Sequence, residues 1–101
     1  MNQPNGLIEV LLDLNADIAS RDDAAMDLGL FDNIEAEKAL FEVASNKETD
    51  EMVSSSAGES LAQIWIRRKC INKEYFLSLS VTAKHEAEAT INANLPELLN
   101  S

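Results

Sequence analysis

A chain of 101 residues with 46% hydrophobic and 5% aromatic residues, 3 Gly and 2 Pro makes one domain, able to bury roughly two-thirds of its unfolded surface. Ala, Leu and Glu dominate, which disfavours a sheet and predicts an all-α fold. No apolar run reaches the roughly 20 residues that span a bilayer. Met1 to Gly6 lack the basic and apolar regions of a secretory signal, and the lone Cys70 cannot form an internal disulfide, so a cytoplasmic protein is expected.

The net charge is -10 and unevenly spread. Residues 1–60 carry 14 acids against 3 bases, a net -11, whereas residues 61–101 carry 4 acids against 5 bases, a net +1. Such a field repels nucleic acid and anionic membranes and speeds encounter with a basic partner. Solubility alone would also account for it.

Residues 1–6 read as a frayed lead-in with a turn at Asn5-Gly6. A first helix is predicted over about 7–19, with Leu7, Val10, Leu11, Leu14 and Ile18 as its buried stripe. Glu9, Asp13 and Asp17 follow one another at i,i+4 on its other side, an arrangement that weakens a helix by roughly a few tenths of a kcal/mol per pair. Ser20 to Asp23 offers the cap of a short second helix with Ala24, Ala25 and Leu28 inward. Asp23 and Asp27 form a further acidic i,i+4 pair, and Gly29 suits a left-handed C-terminal position. Leu30-Phe31 is expected to pack as a staple, with Asp32 and Glu35 as a capping box.

The third and fourth helices carry the strongest pattern. Ala36, Ala39, Leu40, Val43 and Ala44 make one apolar face, and Val53, Ala57, Leu61, Ile64 and Trp65 make another. Two such faces joined by the turn at Asn46–Asp50 predict an antiparallel hairpin that buries its seam. The fourth helix can start anywhere from Thr49 to Ser55, since Ser54, Ser55 and Ser56 are all cap residues. Arg67-Arg68-Lys69 suits its C-terminus. Asn72 caps a short fifth helix, with Tyr75 or Phe76 and Leu79 inward. Thr82 is expected to cap a sixth, ended by Pro96, with Ala83, Ala87, Thr90, Ile91 and Leu95 on its inner face. Residues 97–101 form a tail that adds at most a docking turn through Leu98 and Leu99. The three resulting hairpins, about 7–30, 32–69 and 72–95, fit either a short α-solenoid or an irregular six-helix bundle.

Catalysis and metal binding find little purchase. Asp13-Leu14-Asn15-Ala16-Asp17 opens like a calcium loop, but Ile18 stands where the turn needs Gly and Ala24 where the bidentate Glu belongs. His85, the only histidine, is predicted to face solvent, and Cys70 to sit half-buried in a turn. Trp65, in phase with Leu61 and Ile64, reads as core. Arg67, Arg68, Lys69 and Lys73 ahead of Tyr75 and Phe76 could form an RNA patch, yet a dipole-compensating helix end explains them more simply. No catalytic residue, cofactor or metal is expected. What remains is a run of acidic faces, including Asp32, Glu35, Glu37 and Glu42, interrupted only by Arg21, Lys38 and Lys47 before residue 60. They suit capture of a Lys/Arg-rich protein surface.

Ala39-Leu40 through Ala44, followed by Ser56-Ala57, Ser60-Leu61 and Ile64, resembles a HEAT-type helical repeat. More narrowly, Leu40-Phe41-Glu42-Val43-Ala44 with Gly58-Glu59-Ser60-Leu61-Ala62-Gln63-Ile64-Trp65 resembles small acidic immunity proteins of bacterial polymorphic toxin systems, including contact-dependent growth inhibition. The resemblance implies a non-enzymatic protein that binds the toxic C-terminal domain of a secreted effector, often a basic nuclease, as a monomer in a 1:1 complex. It carries over no binding residue. Charge and exposure nominate Glu9, Asp13, Asp17, Asp23, Asp27, Asp32, Glu35 and Asp50 as the contact surface. The alternatives are a HEAT-like adaptor or assembly subunit without a toxin, and a chromophore-lyase-like repeat, which would need a polar ligand pocket that no motif marks.

Overall fold

Six α-helices and a closing 3-10 turn make up residues 4–100, the part of the chain that the structure, a computed structural model, describes. They are α1 (Asn5–Leu12), α2 (Ile18–Leu28), α3 (Ile34–Ala44), α4 (Glu51–Arg68), α5 (Lys73–Ser78) and α6 (Val81–Asn94), with the turn at Pro96–Asn100. No strand occurs among the described residues. The helices stack in two layers: α1 lies against α3, while α2 and α6 flank α4. Tyr75 of α5 stacks on Phe41 of α3 with ring centroids 3.9 Å apart, placing α5 in the layer of α1 and α3. A thickness of 21 Å fits two helix layers of roughly 10 Å each. The result is an all-α bundle gathered around α4.

Both predicted seams are buried. Ala36, Ala39, Leu40, Val43 and Ala44 on α3 meet Val53, Ala57, Leu61, Ile64 and Trp65 on α4, and all ten lie in the core. Small residues bring α4 and α6 together: a Cβ on Gly58 would run into the backbone carbonyl of Ala83. Here glycine serves close approach between helices. On its other side α4 is joined to α2 by hydroxyls. Ser56 donates to the Asp22 carboxylate and Ser60 to the Ala25 carbonyl, the latter at 2.6 Å.

Several local expectations are corrected. The predicted first helix is two helices, broken at residues 13–17. Asp13 accepts from the Asn15 N–H at 2.9 Å, and Asp17, in extended backbone, accepts from the Ser20 N–H at 3.2 Å as the N-cap of α2. Short carboxylates bond nearby N–H groups better outside a helix than within one, so the acidic spacing marks two ends. The buried stripe fails with it: Leu11 is buried, whereas Leu14 is 81% and Ile18 47% exposed. Arg21 is itself buried, its Nε donating at 2.9 Å to the Leu11 carbonyl near the end of α1.

Asn33, one residue after Asp32, caps α3, and Ser80, two before Thr82, caps α6. Asp50 caps α4 through the Met52 and Val53 N–H groups, which leaves Ser54, Ser55 and Ser56 inside the helix as interhelical donors or buried residues. Gly29 has right-handed backbone, φ -63°, so its role is space: a Cβ there would press on Ser60 and Gln63. Phe31 packs on the core but Leu30 is exposed. At the ends, Asn5-Gly6 begins α1 and Leu98 and Leu99 pack on the core, while residues 1–3 and 101 of the expected frayed ends lie outside the described residues.

Candidate protein-binding edge

The turns between α1 and α2, α3 and α4, and α5 and α6 lie along one edge of the molecule. Leu12 and Leu14 from the first turn share a cleft with Asn46, Glu48 and Thr49 from the second. Lys47 and Thr49 share the next depression with Ser80 and Val81 of the third, where the Ser80 N–H donates to the Ala44 carbonyl at 2.9 Å. The connections between pairs run along the other edge, where Arg67 at the end of α4 reaches Asp32.

The two edges treat carboxylates differently. Along the turn edge stand Asp13, Asp17, Glu42, Glu48 and Glu51, all exposed, and the half-buried Asp50. Asp13, Asp17 and Asp50 bond backbone N–H groups of their own turns. None of the six forms an ion pair within the described residues. Hydrogen bonding by Ser20, through its side chain first and its backbone N–H second, holds the Asp17 carboxyl below its usual value near 3.8. Lys47 is the one exposed base between residues 39 and 66.

On the opposite edge two carboxylates are tied up by α4. Asp32 accepts from Arg67 at 2.6 Å. Glu37 is only 5% exposed, accepting from the Trp65 indole N–H and from Arg68, each at 2.8 Å. The hydrogen bond to Glu37 raises the Arg68 pKa further above its already high ordinary value. Glu37 therefore leaves the solvent-facing acidic set and becomes part of the core.

The nominated contact residues are divided by the fold. Asp13, Asp17 and Asp50 come together on the turn edge. Glu9 is exposed on α1, and Asp23 and Asp27 are exposed on α2. Asp32 and Glu35 belong to the opposite edge, one paired with Arg67 and the other in the first turn of α3. Glu42 and Glu48 join the turn edge beside a cleft of about 320 Å³ that also has Leu12, Leu14, Val43 and the buried Arg21 in its walls. The Asn46–Asp50 turn was legible, so Glu48 could have been placed there. The exposure of Leu14 was hidden by the assumption of one continuous helix.

The remaining chemistry is quiet. Cys70 is exposed, beside the left-handed Lys69 that ends α4, rather than half-buried. His85 is exposed on α6. Among the described residues no three His, Cys, Asp or Glu side chains are grouped to hold a metal ion. Arg67 and Arg68 are paired with carboxylates, Tyr75 is stacked on Phe41, and Phe76 packs edge-on to Trp65 with Lys84 over its ring. No described helix is long and apolar enough to cross a membrane.

No protein-family model, curated protein or solved structure matches the chain.

Proposed function

We propose that this chain is a non-catalytic, cytoplasmic immunity protein that neutralises the toxic C-terminal domain of a secreted bacterial effector by stoichiometric binding. The observation that carries the binding role is the turn edge, where six carboxylates form no ion pair within the described chain. A rigid row of anions attracts a Lys/Arg-rich surface over a distance of about 8–10 Å at ordinary ionic strength and accelerates encounter. A nuclease that grips phosphate with cations is such a surface. The immunity role itself rests on the resemblance of the α3–α4 segment to that class of protein.

Co-expression with the toxin domain encoded beside this gene tests the reading. Growth rescue and a co-purifying 1:1 complex are expected, with association slowing steeply as salt rises. Exchange of Glu42, Glu48 and Glu51 for Lys should slow association at least tenfold while leaving the helical signal intact, because none of these side chains supports another. Tight binding to a non-toxic partner without growth rescue would instead favour an adaptor role.

A further inference from the structure

The turn edge has an apolar centre that electrostatics alone does not explain. Leu14 projects from a five-residue polar turn and is 81% exposed, and Leu12 beside it is 37% exposed. This is not a floppy loop tip. Asp13 bonds Asn15, Asp17 caps α2, and the buried Arg21 ties α2 to the last turn of α1. The turn is held with its leucine outward, so a partner covering it has little chain to order on binding.

We infer that the cleft between the α1–α2 and α3–α4 turns anchors the partner, taking one apolar side chain of a basic segment against Leu12, Leu14 and Val43. Glu42 and Glu48 receive the Lys or Arg groups on either side of that side chain. The inference rests on the binding role proposed above and deepens it by naming the anchor. Apolar centres ringed by polar groups are the usual anatomy of protein interfaces. Charge complementarity selects a cationic partner, because the only cation in the cleft, Arg21, is buried and already engaged through its Nε. About 320 Å³ is room for a side chain or two, at the small end of the roughly 300–1,000 Å³ typical of ligand pockets.

Two peptides test this on the full chain by amide chemical-shift titration at low salt: acetyl-Lys-Lys-Leu-Lys-Lys-amide and its analogue with Ser in place of Leu. The leucine peptide should give saturable shifts confined to residues 12–17 and 42–49, and bind at least threefold more tightly than the serine peptide. Leu14→Ser should erase that preference without altering the fold, since the side chain is mostly in water. Equal affinity for the two peptides, or shifts spread over α2 and α6 instead, would overturn the inference. The two proposals fail separately. If Leu14→Ser rescued growth and bound the toxin as well as the parent, the anchor would be wrong and the immunity role intact. If rescue failed while the peptides mapped to the cleft, only the partner's identity would be wrong.

Discussion

The two edges of this molecule carry the same kind of residue to opposite ends. Along the connections between pairs, Asp32 and Glu37 meet guanidinium groups from α4, and Glu37 is taken into the core beside Trp65. Along the turns within pairs, Asp13, Asp17 and Asp50 bond backbone N–H groups of their own turns, Asp17 also the Ser20 side chain, and none meets a cation, leaving their charge directed at solvent. Carboxylates at one edge hold helices together; at the other they end helices and set the field. A count of acids cannot separate these roles, and partner identity separates them at once.

Mutation can sharpen the contrast, and the largest effect is expected at Glu37. Glu37→Ala leaves the buried Trp65 N–H without an acceptor and Arg68 without its partner, a loss of about 3 kcal/mol in urea unfolding. That figure lies at the lower end for a broken buried pair because Arg68 is 42% exposed. Glu37→Gln keeps an acceptor for the indole and should cost only about 1 kcal/mol. Equal losses for the two variants would show that the charge, rather than the acceptor, dominates.

Asp50→Ala removes the cap from the longest helix and should cost about 1 kcal/mol, measured the same way. Asp32→Ala, although it breaks an ion pair, should cost less than about 0.5 kcal/mol because the Asp32 side chain is 69% exposed. A reversal of that order would place structural weight on the wrong edge. The smallest effect concerns pH. Since hydrogen bonding lowers the folded-state pKa of Asp17, its ionised form stabilises the fold above the ordinary carboxyl value near 3.8, and that contribution disappears as pH falls through the lower folded value. The melting-temperature difference between the parent and Asp17→Asn should therefore be present at pH 6 and vanish in strong acid.

Much of the scaffold was legible because it depends on local repetition. The α3 and α4 seams, the Asn72 cap, the burial of Ala83, Ala87 and Ile91 on α6 and the core position of Trp65 all follow from helical spacing or from one side chain bonding its own backbone, whereas Thr90 and Leu95, expected on the same α6 face, are only half-buried. The misread positions depend on competition or on tertiary partners. Asp13 and Asp17 keep helical spacing with Glu9 and yet act as helix ends, so periodicity and capping gave contrary signals. Ser54, Ser55 and Ser56 look like caps until the neighbouring helices bury Ser54 and supply acceptors for Ser55 and Ser56. Buried Glu37 and Arg21 are invisible in sequence, because the groups that justify burying them lie 28 and 10 residues away. The binding edge was only half legible: its charge could be read, but the exposure of Leu14 appears once the helix is broken.

The central place of α4 has a consequence for how the molecule opens. Both outer pairs rest on this one helix, and within α1 only Leu11 is buried. α1 therefore has little to lose by opening, and the amides of the first pair should exchange with deuterium before those of α4. A protein seated on the turn between α1 and α2 would suppress that opening. Occupancy would then register as slowed exchange along the whole of both helices, including amides the partner never touches.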